Sequence, residues 1–180
     1  CIMLDDRILK TPLKRDLVLP NLNLAQEIAK EWDQNSKNIN IESMIFYGLI
    51  STSLDKIVDN INLYINDILD YIDTDLICYR AENPKELVEL QKKKWDPIIL
   101  LIEKYIGTKV QVFLGVSPKK QHATVHFRLN NLINQFDIFK ISALHRITNI
   151  TGSIFLSLCA LKKDISKNEI FQLSFLDELW

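Results

Sequence analysis

The run from Ile154 to Leu161 is apolar on every side, broken only by Ser157. A helix without a polar face has to be covered all round by other elements. The run is too short to cross a bilayer, which takes about 20 apolar residues. It is therefore read as the central core helix of a domain that wraps amphipathic helices around it, entered through Thr151-Gly152-Ser153. The 180 residues suffice for one large domain or two small ones, and 47% hydrophobic with 25% charged residues is an ordinary globular balance.

The rest of the chain supplies those covering helices. Ile57, Val58, Ile61, Tyr64, Ile65, Ile68, Leu69 and Ile72 recur at helical spacing and predict one regular amphipathic helix. Leu24, Ala25, Ile28, Ala29 and Trp32 share a face, with Asn23 as N-cap, Gln26 three residues on, and Asn35 to Asn38 as the end. Met44, Tyr47, Leu49 and Ile50 suggest a second helix. Asn83-Pro84-Lys85-Glu86 reads as a helix start with Asn83 as cap and Pro84 at the first helical position. Trp95-Asp96-Pro97 reads as a kink or a fresh start, and Gly107 as the close of Ile98 to Ile106. Val125, Leu129, Leu132, Ile133 and Phe136 make another stripe, and Asp137 can cap the helix after it. Ser166 with Glu169 forms a capping box for a last helix running to Trp180. Extended structure is expected in a hairpin around Asp5-Asp6, in Leu17 to Leu19 ahead of Pro20, and in the alternation of Val110, Val112 and Leu114. Asp75 to Arg80 reads as a short linking run.

Motifs for chemistry are scarce. The four glycines lie far apart, so there is no phosphate loop and no dinucleotide fingerprint. The net charge of −1 lacks the basic excess of a nucleic-acid partner, and the Lys119, Lys120 and Arg128 region alone does not supply one. Cys1, Cys78 and Cys159 are too scattered for a disulfide framework or a zinc cluster, and free thiols fit a reducing compartment. His122 and His126 stand four apart, but Ala123 occupies the place where a zinc protease needs glutamate, which leaves a solvated helix face. Lys92 to Lys94 read as a solvated face as well, with Glu86 and Glu89 close by. A small hydrolase or transferase would have to use Cys78 and His145 and bring them within hydrogen-bond reach; the apolar flanks favour an inert core thiol and a half-buried structural histidine. Asp177-Glu178, beside Phe175, Leu176 and Trp180, are either a solvated face or an acidic docking surface rimmed with aromatics.

An ordered set of segments resembles one family. Leu4-Asp5-Asp6-Arg7-Ile8-Leu9-Lys10-Thr11-Pro12 resembles its opening L-D-G-R-x-x-K-T-P, and Leu17 to Pro20 and Glu31-Trp32-Asp33 follow at the right intervals. Thr74 to Ala81 matches T-D-L-L-C-Y-R-A; Gln91 with Trp95-Asp96-Pro97 matches Q-x-x-x-W-D-P. Ala143-Leu144-His145, Thr151-Gly152-Ser153 and the closing Leu176-Asp177-Glu178 complete the set. The family is that of the assembly chaperones acting on the α subunit of the soluble F-one head of ATP synthase. Two departures stand out. Asp6 replaces the turn glycine, and Met44-Ile45-Phe46-Tyr47-Gly48-Leu49 replaces M-P-L-T-R-L, losing its proline and arginine.

The resemblance implies an α+β fold, predominantly helical. A small β-containing N-terminal domain over residues 1–54 would precede a larger multihelical domain over 55–180. It also implies an ATP-independent chaperone that holds the unassembled α subunit, shields its β-contacting surface and is displaced when the hexamer forms. No cofactor, metal, nucleic acid or membrane is called for, and a monomer is expected. Such a protein would work in the cytoplasm of a bacterium or the mitochondrial matrix of a eukaryote. Asp177 and Glu178 are implied as partner contacts, with Arg80 and Trp95 in structural roles.

Overall fold

The computed structural model describes residues 2–35 and 39–180. Cys1 and the Ser36 to Asn38 part of the expected helix end lie outside the described residues. The chain divides into two compact units: Cys1–Asn62 with Asp137–Ser142, and Leu63–Phe136 with Ala143–Trp180.

The first unit opens with a hairpin in which β1 (Met3–Leu4) pairs antiparallel with β2 (Arg7–Ile8). Asp5 and Asp6 form its two-residue turn with φ of 45° and 64°, the left-handed pair that a tight hairpin requires. Aspartate tolerates that region better than most side chains, so the turn survives the loss of glycine at Asp6. Leu17 to Leu19 join no strand, although Lys10 bridges Asp16; Leu17 and Leu19 pack inward while Val18 faces solvent. Helix α1 (Leu22–Gln34) is capped two residues earlier than expected: the Asn21 side chain accepts from Leu24 N at 2.9 Å. Asn21 and Asn23 offer the same acceptor, but Asn21 holds the extended backbone a cap needs, and Asn23 lies inside the helix. Helix α2 (Ile45–Thr52) begins on Glu31, whose two carboxylate oxygens accept from Phe46 N at 2.7 Å and Tyr47 N at 2.9 Å.

Leu9, Ile28, Met44, Tyr47 and Ile50 form this unit's core. Tyr47 meets Trp32 edge-on with ring centroids 5.2 Å apart, and its hydroxyl donates to the Lys10 carbonyl at 2.9 Å. The Tyr47 departure from the family pattern is thus a core residue, and Gly48 faces open space that a larger side chain would not crowd. The Lys10-Thr11-Pro12 loop is pinned to Asp55, which accepts from Thr11 Oγ1 at 2.6 Å and Leu13 N at 3.0 Å. Arg15 donates to the Leu54 carbonyl at 2.8 Å and pairs with Asp59.

The single helix expected from Ile57 to Ile72 is interrupted. Ser53–Ile57 is a π turn, α3 covers Ile61–Leu69, and Asp70–Asp73 tightens to a 3-10 turn. Ile57, Ile65, Ile68 and Ile72 are buried all the same, so the apolar period survives three different backbone pitches.

In the second unit, α4 (Lys85–Ile106) runs through Pro97 without a fresh start and closes on left-handed Gly107. Its cap is Pro84, not Asn83: Pro84 is extended at ψ 166°, and Val88 N donates to its carbonyl at 3.2 Å. The expected strand shrinks to β4 (Phe113–Leu114), parallel to β3 (Tyr79–Arg80). Phe113, not its neighbours Val112 and Leu114, turns inward, because Phe113 packs on Tyr79 with centroids 5.5 Å apart. Helices α5 (Ala123–Ile133) and α6 (Ile138–Thr151) follow, α6 with Asp137 accepting from Lys140 N at 2.8 Å; its first turn belongs to the first unit.

Helix α7 (Ile154–Leu161) is the buried helix its composition demands, with every residue from Ile154 to Cys159 out of solvent. It packs between α4 and α8 (Lys167–Ser174), and α8 starts on the Ser166–Glu169 capping box. The last helix does not run on to the end of the chain: it breaks at Phe175, and α9 (Leu176–Leu179) is separate. Among the described residues no helix is long and apolar enough to cross a membrane. The fold is α+β and predominantly helical, as the sequence suggests.

Asp75 ties the second unit together, and the segment read as a linker is core. Asp75, Ile77 and Cys78 are wholly buried. One Asp75 oxygen accepts from Ser153 Oγ at 2.7 Å and Ile77 N at 3.1 Å; the other accepts from Phe155 N at 3.1 Å. Burial outweighs these donors and pushes its pKa up to about 7. The native state therefore keeps this proton to a higher pH than the unfolded chain, so its contribution to stability falls as pH rises from about 4 to about 7. Asp75→Asn turns one acceptor into a donor facing an N–H and should cost about 1–3 kcal/mol at pH 5 by urea denaturation. The wild-type advantage should shrink between pH 5 and pH 8; an advantage that grew would contradict this assignment.

Candidate protein-interaction site

Gln91 and Trp95 are one turn apart on α4 and share its buried face, while Asp96, next to Trp95, lies on the exposed side. All three reach the Tyr79 to Ala81 strand or the C-terminal helices. Gln91 is 1% exposed: its Oε1 accepts from Ala81 N at 2.8 Å, and its Nε2 donates to Asp177 Oδ1 at 2.9 Å. Trp95, fully buried, donates through Nε1 to the Leu173 carbonyl at 2.9 Å. Asp96 stands 3.0 Å from Arg80 Nη2.

Arg80 is buried along with Gln91 and Trp95. Its Nε donates to the Ile77 carbonyl at 3.0 Å, and its guanidinium lies 5.2 Å from the Trp95 ring centroid. Burial lowers its pKa, while Asp96 and Asp177 pull it back up. The side chain is 4% exposed and neither Nη1 nor Nη2 has a hydrogen-bond partner, so the arginine is held by one ion pair, one carbonyl and one aromatic face. Removing Asp96 would strand the buried Arg80 charge. The structural roles expected of Arg80 and Trp95 follow from these contacts.

Asp177 and Glu178 occupy the first turn of α9 and are exposed, while Leu176 beside them is buried. The two acids are not equivalent. Asp177 is held in place by a buried glutamine, whereas Glu178 takes part in no hydrogen bond or ion pair among the described residues. Asp177 also lines a groove of about 790 Å³ with Arg80, Glu82, Leu114 and Val116. Three segments distant in sequence, Thr74–Ala81, Gln91–Pro97 and Leu176–Glu178, thus meet at one place.

The enzyme alternative is not assembled. Cys78 is fully buried with Gln121 Nε2 at 3.5 Å, and burial raises its thiol far above the range in which a thiolate forms near neutral pH. His145 lies edge-on to Tyr64 at 5.0 Å, with Asp67 at 3.6 Å and Asn149 at 3.2 Å. No hydrogen bond joins Cys78 to His145. His126 is spent on Asp73, 2.8 Å away, and His122 sits at the cap of α5 rather than on its face. Among the described residues no three His, Cys, Asp or Glu side chains are grouped to hold a metal ion. Lys119 lies 5.6 Å from the Phe113 ring, and its backbone N–H donates to the Tyr79 hydroxyl at 3.0 Å.

Sequence reasoning missed Gln91 as the holder of Asp177 and Asp96 as the counter-charge of Arg80. A signal was present: a glutamine one turn from Trp95 on the buried side of an amphipathic helix must find partners for its amide. Gln91→Leu removes the acceptor of the Ala81 N–H and should lower stability by about 1–3 kcal/mol in urea denaturation. An unchanged midpoint would mean that water replaces the glutamine at no cost.

A family model described as ATP12 chaperone protein matches residues 1–103. The crystal structure of Atp12 from Paracoccus denitrificans superposes with a TM-score of 0.92 at 31% identity, covering 98% of this chain and 76% of that one. A candidate chaperone from Agrobacterium tumefaciens gives a TM-score of 0.93 at 30% identity, covering 99% of this chain and 67% of that one.

Proposed function

The chain belongs to the ATP12 chaperone family, and from that premise we propose that it is an assembly chaperone that binds the unassembled α subunit of the ATP synthase head. It holds the α surface destined for the β subunit and gives it up when β arrives. A free subunit of a hexamer exposes a large apolar interface, and such patches aggregate. The holder must bind more weakly than the final partner, so a modest and partly polar contact suits the task. The reading calls for neither turnover nor a cofactor.

The observation that carries it is the placement of Asp177. An exposed carboxylate fixed by a buried glutamine loses little freedom on binding, and preorganisation of that kind favours association. Glu178, exposed next to it, adds to the same acidic face. Both are proposed as α-subunit contacts. The cytoplasm in a bacterium, or the mitochondrial matrix in a eukaryote, is the compartment in which such a subunit would be met.

The test is capture of separately expressed α and β subunits without added nucleotide. The chain should retain α, ignore β, and release α when β is added. Replacing both acids, Asp177→Asn with Glu178→Gln, should weaken α binding about tenfold without unfolding the domain, since the amide at 177 still offers Gln91 an oxygen. Equal affinity of the double variant would remove these residues from the contact. Failure of the wild type to retain α would remove the client.

A further inference from the structure

The groove beside Asp177 carries an unbalanced charge. Three charged side chains line it: Arg80, Glu82 and Asp177. Arg80 is buried and already compensated by Asp96 at 3.0 Å, outside the groove. Asp177 accepts one hydrogen bond, from neutral Gln91, and Glu82 pairs with no cation among the described residues. Glu82 is also placed: its carboxylate lies against Gly115, 3.6 Å from where a Cβ would stand. The backbone keeps Gly115 there at φ +72°, and Gly115 N donates to the Arg80 carbonyl at 2.9 Å, so the turn carrying Glu82 and the end of β4 are joined. Exposed apolar side chains continue the wall, Leu114 at 62% and Val116 at 93% exposure.

We propose that this groove is the receptor for a lysine or arginine side chain of the client, with its charged head between Glu82 and Asp177 and its methylenes against Leu114 and Val116. The proposal rests on the chaperone reading and adds to it the chemistry of the contact and three residues that the closing motif does not contain. Long basic side chains bury an apolar stem while keeping the head on polar groups, and this wall offers both surfaces side by side. The cation completes a rim that carries two negative charges; Arg80, held by Asp96 and the Ile77 carbonyl, acts on Asp177 from within the wall but forms an ion pair with neither Asp177 nor Glu82.

Two measurements test this independently. In the first, the isotope-labelled chain is titrated with the blocked tripeptide Leu-Arg-Val and with Leu-Gln-Val, and amide shifts are followed. The arginine peptide should move Glu82, Leu114, Gly115 and Val116, and the glutamine peptide should move them far less. Equal responses, or shifts confined to other surfaces, would overturn the proposal. In the second, Glu82→Gln should weaken binding of the isolated α subunit about tenfold. This substitution is exposed and outside every structural hydrogen bond described above. If wild type binds α and Glu82→Gln binds it equally, the groove proposal fails while the chaperone reading stands. If wild type does not bind α, the client reading fails, and the peptide titration alone decides whether the groove takes a basic side chain.

Discussion

A buried carboxylate holds together segments 78 residues apart: Asp75 accepts from Ser153 at the entry to the core helix and from Ile77 in its own turn. An acid removed from water is costly; three donors use its oxygens and offset part of that cost, while burial still holds its pKa up at about 7. The consequence reaches beyond the capping of α7. The turn that Asp75 starts leads directly into Tyr79 and Arg80, so fixing Asp75 on α7 also fixes where Arg80 emerges. Leu76 N donates to the Gly152 carbonyl at 3.0 Å and reinforces the same junction.

From Arg80 the constraint passes outward. Asp96 and Trp95 on α4 hold the guanidinium, and Gln91, one turn before Trp95, holds Asp177. Residues that look unrelated along the chain are successive links from a buried helix to an exposed acid. A contact built this way is stiff at its base and exposed at its tip, which suits the proposed capture and release of a partner.

Much of this was legible in the sequence, and the exceptions have physical causes. The apolar run at Ile154, the capping box at Ser166 and the hairpin turn at Asp5-Asp6 are local signals, and each was read in its right place. The break inside Ile57 to Ile72 was invisible because π, α and 3-10 pitches all kept the isoleucines on one side. The burial of Phe113 rather than of Val112 and Leu114 depends on Tyr79, far away in the chain. Asp75 to Arg80 looked like a linker because its charged ends resemble a surface; the partners that make those charges tolerable lie on α4 and α7. The helix pattern shows that Gln91 needs partners, but its pairing with Asp177 spans 86 residues and no local pattern names that partner.

The central claim is that the chain covers the surface of α that β will occupy. Hydrogen–deuterium exchange on the isolated α subunit, alone and with saturating chaperone, addresses it most directly. The account predicts protection concentrated on the α surface that faces β in the assembled head. Protection confined to other surfaces, with the β-facing amides exchanging as they do in free α, would contradict it.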